Sequence, residues 1–294
     1  SCAGKDGYPP LRISGGKLSG GGLHMDSTVS SQFISSIMMI APYTDQGVTI
    51  KFTERPVSLP YIQMTQKLMQ LFGVHVQLTD TFVEIQPSKY QIKDICIEPD
   101  WSSASYWYEF EALAKNSDIF LEVFTKNSFQ GDRCVWQIFN NLGVHTSFKS
   151  DGIQLTSTKN NINHLHYDFT DAPDLVPAVL TTCAAKKIKA TITGVAHLAH
   201  KESDRMQALG AELAKLGAVL KSENETYHLT FNESYDVKKE LVFETYKDHR
   251  MAMCFSPLVL KFNNILIKDK DVVEKSYPAF WNDLKKLKIV ELNS

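Results

Sequence analysis

Leu68-Met69-Gln70-Leu71-Phe72-Gly73-Val74 reads as the last turns of an amphipathic helix stopped by glycine. Glycine takes the left-handed conformation at a helix C-terminus cheaply, so this ending is a clear stop signal. It returns as Ile138-Phe139-Asn140-Asn141-Leu142-Gly143-Val144 and as Leu213-Ala214-Lys215-Leu216-Gly217-Ala218. The three glycines are 70 and 74 residues apart. Each is followed by two short β-rich runs around a polar turn: 74–78 with 82–86, 144–148 with 152–156, and 218–221 with 227–231. These patterns predict three hairpins.

A second series runs in phase with the first. Asp26 precedes Ser30-Ser31-Gln32, Asp100 precedes Ser102-Ser103-Ala104-Ser105-Tyr106, Asp171 precedes Ala172-Pro173-Asp174-Leu175, and Asp248 opens His249-Arg250-Met251-Ala252-Met253. An apolar helix follows each, such as 105–115 or 175–186. In the first copy Ser30 or Ser31 can act as N-cap. Phe33, Ile34, Ile37, Met38 and Ala41 recur there at helical spacing and predict a buried face. Two hydroxyls and an amide then stand at the positive end of a helix, where free N–H groups bind anions. Read alone, the stretch is an ordinary capped core helix. The repeating unit is strand, polar-started helix, strand, glycine-ended helix, hairpin: a βαβαββ pattern of about seventy residues. Three full units, and a truncated fourth ending in a helix at 280–288, predict an α/β (α+β) protein. Four helix starts would then occupy equivalent places.

The totals narrow the function. A chain of 294 residues makes one large or two ordinary domains. A net charge of -2 argues against a broad nucleic-acid footprint. No apolar run reaches the roughly 20 residues that span a bilayer, so no membrane partner is expected. The glycines at 15–16 and 20–22 fit no phosphate-binding P-loop and read as turns. Cys2, Cys96, Cys134, Cys183 and Cys254 form no CxxC pair, which fits a reducing, cytoplasmic compartment. Four of them read as small buried residues and Cys2 as exposed. The pairs His164/His166 and His197/His200 lack acidic or cysteine partners at ligand spacing. They read as solvated, and no metal is expected.

Tyr8-Pro9-Pro10-Leu11, Val29-Ser30-Ser31-Gln32-Phe33, Ser58-Leu59-Pro60-Tyr61, Asp100-Trp101-Ser102-Ser103-Ala104-Ser105-Tyr106 and Asn127-Ser128-Phe129-Gln130-Gly131-Asp132 come in this order. Ala172-Pro173-Asp174, Lys201-Glu202-Ser203-Asp204-Arg205, Asp248-His249-Arg250-Met251-Ala252-Met253 and Lys275-Ser276-Tyr277-Pro278 follow. From about residue 8 onward this series resembles the 5-enolpyruvylshikimate-3-phosphate (EPSP) synthases. The resemblance implies a two-domain fold of βαβαββ units with the active site in the cleft. It implies transfer of the enolpyruvyl group of phosphoenolpyruvate to the 5-hydroxyl of shikimate 3-phosphate, with release of phosphate and no cofactor.

The resemblance also implies roles. Ser30, Ser31, Ser58 and Tyr61 would hold the shikimate phosphate, and Gln32 would touch both substrates. Asp174 and Lys201 would hold shikimate hydroxyls. Arg205, Arg250 and Lys275 would clamp phosphoenolpyruvate, with His249 beside them. Asp174, Glu202 and Lys275 are the implied catalytic acid–base groups. Each residue also has a plainer reading. Arg205 and Glu202, three apart at a helix start, suit a surface ion pair. Asp174 suits a helix-start acid, and Tyr61 suits a packed aromatic.

In the family a further N-terminal segment precedes the tyrosine–proline motif and carries additional ligand-binding residues. The expectation is therefore an N-terminally truncated chain that lacks most of the first domain. Residues 1–92 would be the last unit of that domain and 93–294 the second domain. Such a chain would be catalytically crippled alone, with the missing N-terminal segment as its partner. The run His197-Leu198-Ala199-His200 departs from the family, which usually has asparagine there. Rival readings are a non-catalytic or split-enzyme fragment and the sibling UDP-N-acetylglucosamine enolpyruvyl transferase. An RNA terminal-phosphate cyclase-like protein is disfavoured by the absence of a basic patch.

Overall fold

The computed structural model describes residues 1–27, 30–159, 162–201, 203–232, 234–235, 240–262 and 264–289, apart from the His200 side chain. The first unit runs β1 (Gly21–Met25), α1 (Ser31–Ile40), β2 (Val48–Phe52), α2 (Leu59–Leu71), β3 (Val76–Leu78) and β4 (Phe82–Ile85). Its sheet has the order β1-β2-β4-β3; β1 and β2 are parallel, and β4 is antiparallel to both neighbours. This is the expected βαβαββ unit. Ser30 caps α1, its side chain accepting the Gln32 N–H. Ile34, Met38 and Ala41 are buried as expected, but Phe33 is 59% exposed. It belongs to the mouth of a cleft described below rather than to the core.

The second unit contains α3 (Trp101–Leu113), β5 (Asp118–Glu122), α4 (Val135–Asn141), β6 (Val144–Phe148) and β7 (Gly152–Ser157), in a sheet of order β5-β7-β6. No strand forms between 86 and 100, so this unit lacks the expected leading strand. The third unit is complete: β8 (His164–Asp168), α5 (Val176–Lys186), β9 (Lys189–Thr193), α6 (Arg205–Leu213), β10 (Ala218–Glu223) and β11 (Thr226–Phe231). Its sheet, β8-β9-β11-β10, repeats the pairing of the first unit strand for strand. The fourth holds β12 (Leu241–Phe243), α7 (His249–Phe255), β13 (Ile265–Ile267) and α8 (Phe280–Lys286), with β12 and β13 parallel.

The three helix-ending glycines adopt the expected left-handed backbone, with φ of 84° at Gly73, 92° at Gly143 and 74° at Gly217. Asp100 and Asp248 are true N-caps, accepting N–H groups of Ser102 and Ser103 and of Arg250. Such caps stabilise a helix by about 1 kcal/mol each. Two separate hydrophobic cores result. One lies within residues 34–85 and the other within 101–284, where α3 and α7 pack on α5. Between the cores, residues 86–100 form neither helix nor strand.

The cores meet where α2 begins. The Ser58 N–H donates to the Thr170 carbonyl at 2.9 Å, and Arg55 pairs with Asp171 at 2.8 Å. Gly131 makes this close crossing possible. A Cβ there would stand 2.9 Å from Cβ of Pro60 and 3.2 Å from the Tyr61 ring. The cysteines depart from expectation. Cys183 and Cys254 are buried, Cys134 and Cys2 are half-buried, and Cys96 is exposed; all are free thiols. No described helix is long and apolar enough to cross a membrane.

Candidate active site

Helix starts from both cores open toward one cleft. The first core supplies Ser30, Ser31 and Gln32 at the start of α1, and Ser58 and Tyr61 at the start of α2. The second supplies Asp174 ahead of α5, Lys201 ahead of α6, Arg205 at its first residue, and His249 and Arg250 at the start of α7. These residues line two adjoining cavities of about 280 and 550 Å³ that share Ser30, Gln32, Asp174 and Lys201. Lys275 and Phe33 line the larger one. The structure therefore brings together every sequence-predicted site residue it describes. Glu202 lies outside the described residues.

The electrostatics centre on Asp174. Its Oδ1 accepts Arg205 Nη1 at 2.8 Å and its Oδ2 accepts Arg250 Nη2 at 2.7 Å. Burial alone would raise its pKa, but Arg250 and Arg205, helped by Lys201, hold it well below the usual carboxylate range. Arg205 is only 1% exposed, so it is no surface ion pair. Behind it lies Asp248, fully buried, which accepts Arg205 Nε at 2.7 Å and the Arg250 N–H at 2.9 Å. Burial opposes the charge of Arg205, while Asp248 and Asp174 more than restore it. His249 is also buried, its Nδ1 3.7 Å from Asp248 Oδ1. Opposite this charged wall, the first turn of α1 contains no acidic residue. Its N–H groups, of which Ser30 caps that of Gln32, thus present positive character to the cleft with no carboxylate to offset it.

Ser58 begins α2 in the left-handed region, with φ of 53°. That conformation costs a non-glycine residue of order 1–3 kcal/mol and clusters at functional sites. Here it lets the Ser58 N–H cross to the second core while α2 turns Tyr61 into the cavity.

Sequence reasoning missed several groups. His197 is not solvated: it is buried, lines the smaller cavity, and burial lowers its pKa to about 4, with Lys201 adding to the effect. Asp248 was legible as a helix opener but not as the partner of Arg205, 43 residues away. Asp132 sat in a quoted motif without a role. It is fully buried and accepts the Ser102 hydroxyl at 2.5 Å.

Paired βαβαββ sheets, with helix starts and arginines converging on a cleft between two cores, define an enolpyruvyl transferase fold. A solved EPSP synthase from Acinetobacter baumannii has it, with a TM-score of 0.74 at 22% identity over 97% of this chain and 66% of that one. So does the enolpyruvyl transferase NikO from Streptomyces tendae, with a TM-score of 0.61 at 12% identity over 92% of this chain and 64% of that one. At these identities the likeness concerns the fold alone. The sequence goes further. A family model, EPSP synthase (3-phosphoshikimate 1-carboxyvinyltransferase), matches residues 1–284. The 3-phosphoshikimate 1-carboxyvinyltransferase of Bacteroides fragilis is 39% identical over 282 residues, 96% of this chain and 69% of the relative. That of Methanosphaerula palustris is 35% identical over 280 residues, 95% of this chain and 64% of the relative. The chain belongs to the EPSP synthase family, a family of transferases.

Proposed function

We propose that the cleft binds shikimate 3-phosphate and phosphoenolpyruvate and joins them by enolpyruvyl transfer. The observation that carries this reading is Asp174, held between Arg205 and Arg250 on one wall and facing the start of α1 on the other. Ser30, Ser31, Ser58, Tyr61 and the N-terminal N–H groups of α1 suit the shikimate phosphate. Gln32 borders both cavities and suits a contact with both substrates. Lys201 and Asp174 suit the ring hydroxyls. Arg205, Arg250, His249 and Lys275 suit the carboxylate and phosphate of phosphoenolpyruvate.

The ion pairs suggest how the acid–base chemistry is gated. Arg250 and Arg205 both pair with Asp174, which is a poor base for that reason. An arriving phosphoenolpyruvate anion competes for the same guanidinium groups. As they turn to it, Asp174 loses counter-charge, and its basicity rises. It then accepts the proton of the 5-hydroxyl as that oxygen adds to C2 of phosphoenolpyruvate. Lys275 gives the methylene carbon a proton. Return of a proton from the new methyl group, to Lys275 or Glu202, expels phosphate and restores the double bond.

We further propose that the two cores correspond to domains at 1–92 and 93–294, the first being one unit of a larger domain. The chain spans about two thirds of its relatives' length, and the remainder would complete the ligand contacts. Reduced turnover is therefore expected of this chain alone, so binding is the informative assay. Calorimetric titration should give binding of shikimate 3-phosphate, and tighter binding of phosphoenolpyruvate in its presence. Arg250→Ala should weaken the phosphoenolpyruvate step at least about tenfold, the loss of one charge-assisted contact of about 1.5–3 kcal/mol. Wild-type protein that is folded by circular dichroism yet binds neither compound would refute the reading.

A further inference from the structure

Asp132 takes no part in the transfer chemistry above, yet it is fully buried one layer beneath the cleft. It lies in the 3-10 turn Gly131–Cys134, where α2 of the first core crosses the second. Its Oδ2 accepts the Ser102 hydroxyl at 2.5 Å. Its Oδ1 is buried without a hydrogen bond of good geometry among the described residues. The Tyr61 hydroxyl, which comes from the first core, is close enough to interact with both Ser102 and Asp132. The titratable and charged groups around the carboxyl come from every element packed there. They are Tyr61 of α2, Cys134 of its own turn, Asp174 ahead of α5 and Arg250 of α7, with Asp171 and Arg55 at the crossing.

We propose that Asp132 is a positioning residue for anion capture: it fixes Tyr61 of the first core against Ser102 of the second, and it takes up a proton when a dianion enters the cleft. The inference rests on reading the cleft as an anion-binding transfer site. Its electrostatic logic is direct. Burial, with Asp174 adding to it, pushes the Asp132 carboxyl up to about 6, while Arg250 and the two hydroxyls oppose that rise. The group therefore accepts a proton far more readily than an ordinary carboxylate does. An entering dianion adds negative charge nearby, and one held at the arginines also draws Arg250 toward itself. Both changes disfavour the carboxylate, so a proton comes on. The neutral acid then has a hydrogen to donate as well as an oxygen to accept with. His197 and His249 also border the cleft, so the contribution of Asp132 has to be isolated by substitution.

Sulfate is the cleanest probe, because it does not titrate between pH 5.5 and 8; shikimate 3-phosphate is the second. Proton uptake on binding is counted by calorimetry at pH 7 in buffers of different ionisation enthalpy. Wild-type protein should take up about 0.3–1 proton more than Asp132→Asn. The variant should still bind sulfate, because the amide oxygen accepts from Ser102 as before. Ser102→Ala keeps the carboxyl but removes a donor to it, and should move the pH of half-maximal uptake upward. Equal proton counts in wild type and Asp132→Asn, or an unmoved profile in Ser102→Ala, would overturn the proposal while leaving the functional reading intact. Failure of wild-type protein to bind either probe would overturn both.

Discussion

Arg205→Ala is expected to destabilise the protein by about 3–5 kcal/mol, the usual loss when one partner of a buried ion pair is removed. Arg205 joins two carboxylates, and the inner one, Asp248, is entirely buried. Without the guanidinium, Asp248 keeps the Arg250 N–H at 2.9 Å and a long Ser203 contact at 3.4 Å, but it loses the charged donor at 2.7 Å. The start of α7 should loosen with it, because Asp248 is that helix's cap. Urea denaturation measures the effect. Arg205→Met combined with Asp248→Asn should recover a good part of the loss, since no buried charge is then left alone. A loss below about 1 kcal/mol for Arg205→Ala would mean that the pair is solvated in solution. Asp174 adds a pH dependence of known sign. Its pKa is lower in the folded protein than in the unfolded chain, so its stabilising contribution is present above the ordinary carboxylate pKa. It disappears as pH falls through the folded value.

Glu109→Met is expected to act in the opposite direction. Glu109 lies in the middle of α3, fully buried, and neither carboxyl oxygen has a hydrogen-bond partner among the described residues. Cys183 of α5 and Cys254 of α7 are near enough to feel its charge. Burial therefore drives its pKa well above the ordinary range and keeps it protonated in the folded protein. The unfolded chain ionises it from about pH 4.3 upward. The part of its cost to folding that is linked to ionisation is absent below that pH. It then grows by about 1.4 kcal/mol per pH unit until the folded pKa is reached. Methionine fills similar space with no polar atoms to satisfy. The variant should gain at least about 1–3 kcal/mol at pH 8, the cost of the unsatisfied carboxyl oxygens alone, and show a flatter stability profile between pH 5 and 8. Parallel pH profiles for the two proteins would contradict this account.

The repeat was legible because its signals are local. A glycine past a helix end and a polar residue before a helix start report the backbone of their own neighbourhood. The glycine series holds throughout, and the capped starts hold at α1, α3 and α7, whereas the third copy enters α5 through the turn Pro173–Leu175 with no side-chain cap. What the sequence could not show depends on partners distant in the chain. Asp248 meets Arg205 across 43 residues, and Asp174 meets Arg250 across 76. Phe33 fits the apolar face of α1 by spacing, yet the cleft leaves it exposed. His197 gave no periodic signal, because it lies in the short turn Ala196–His200 whose burial is decided by the packing around it. Glu109 looks like any polar residue of a helix, until α5 and α7 close over it. The site residues themselves came from ordered motifs rather than from spacing, and what the structure adds is their shared cleft.

A crystal structure of the chain grown with shikimate 3-phosphate and phosphoenolpyruvate would test the central claim most directly. The 3-phosphate is expected at Ser30 and Ser31, on the N–H groups that open α1. The phosphoenolpyruvate anion is expected on Arg205 and Arg250, with the 2.7 Å contact between Arg250 and Asp174 opened. Both ligands bound elsewhere, for instance in the 590 Å³ cavity bordered by Lys67, Lys126 and Arg133, with both ion pairs of Asp174 intact, would contradict it.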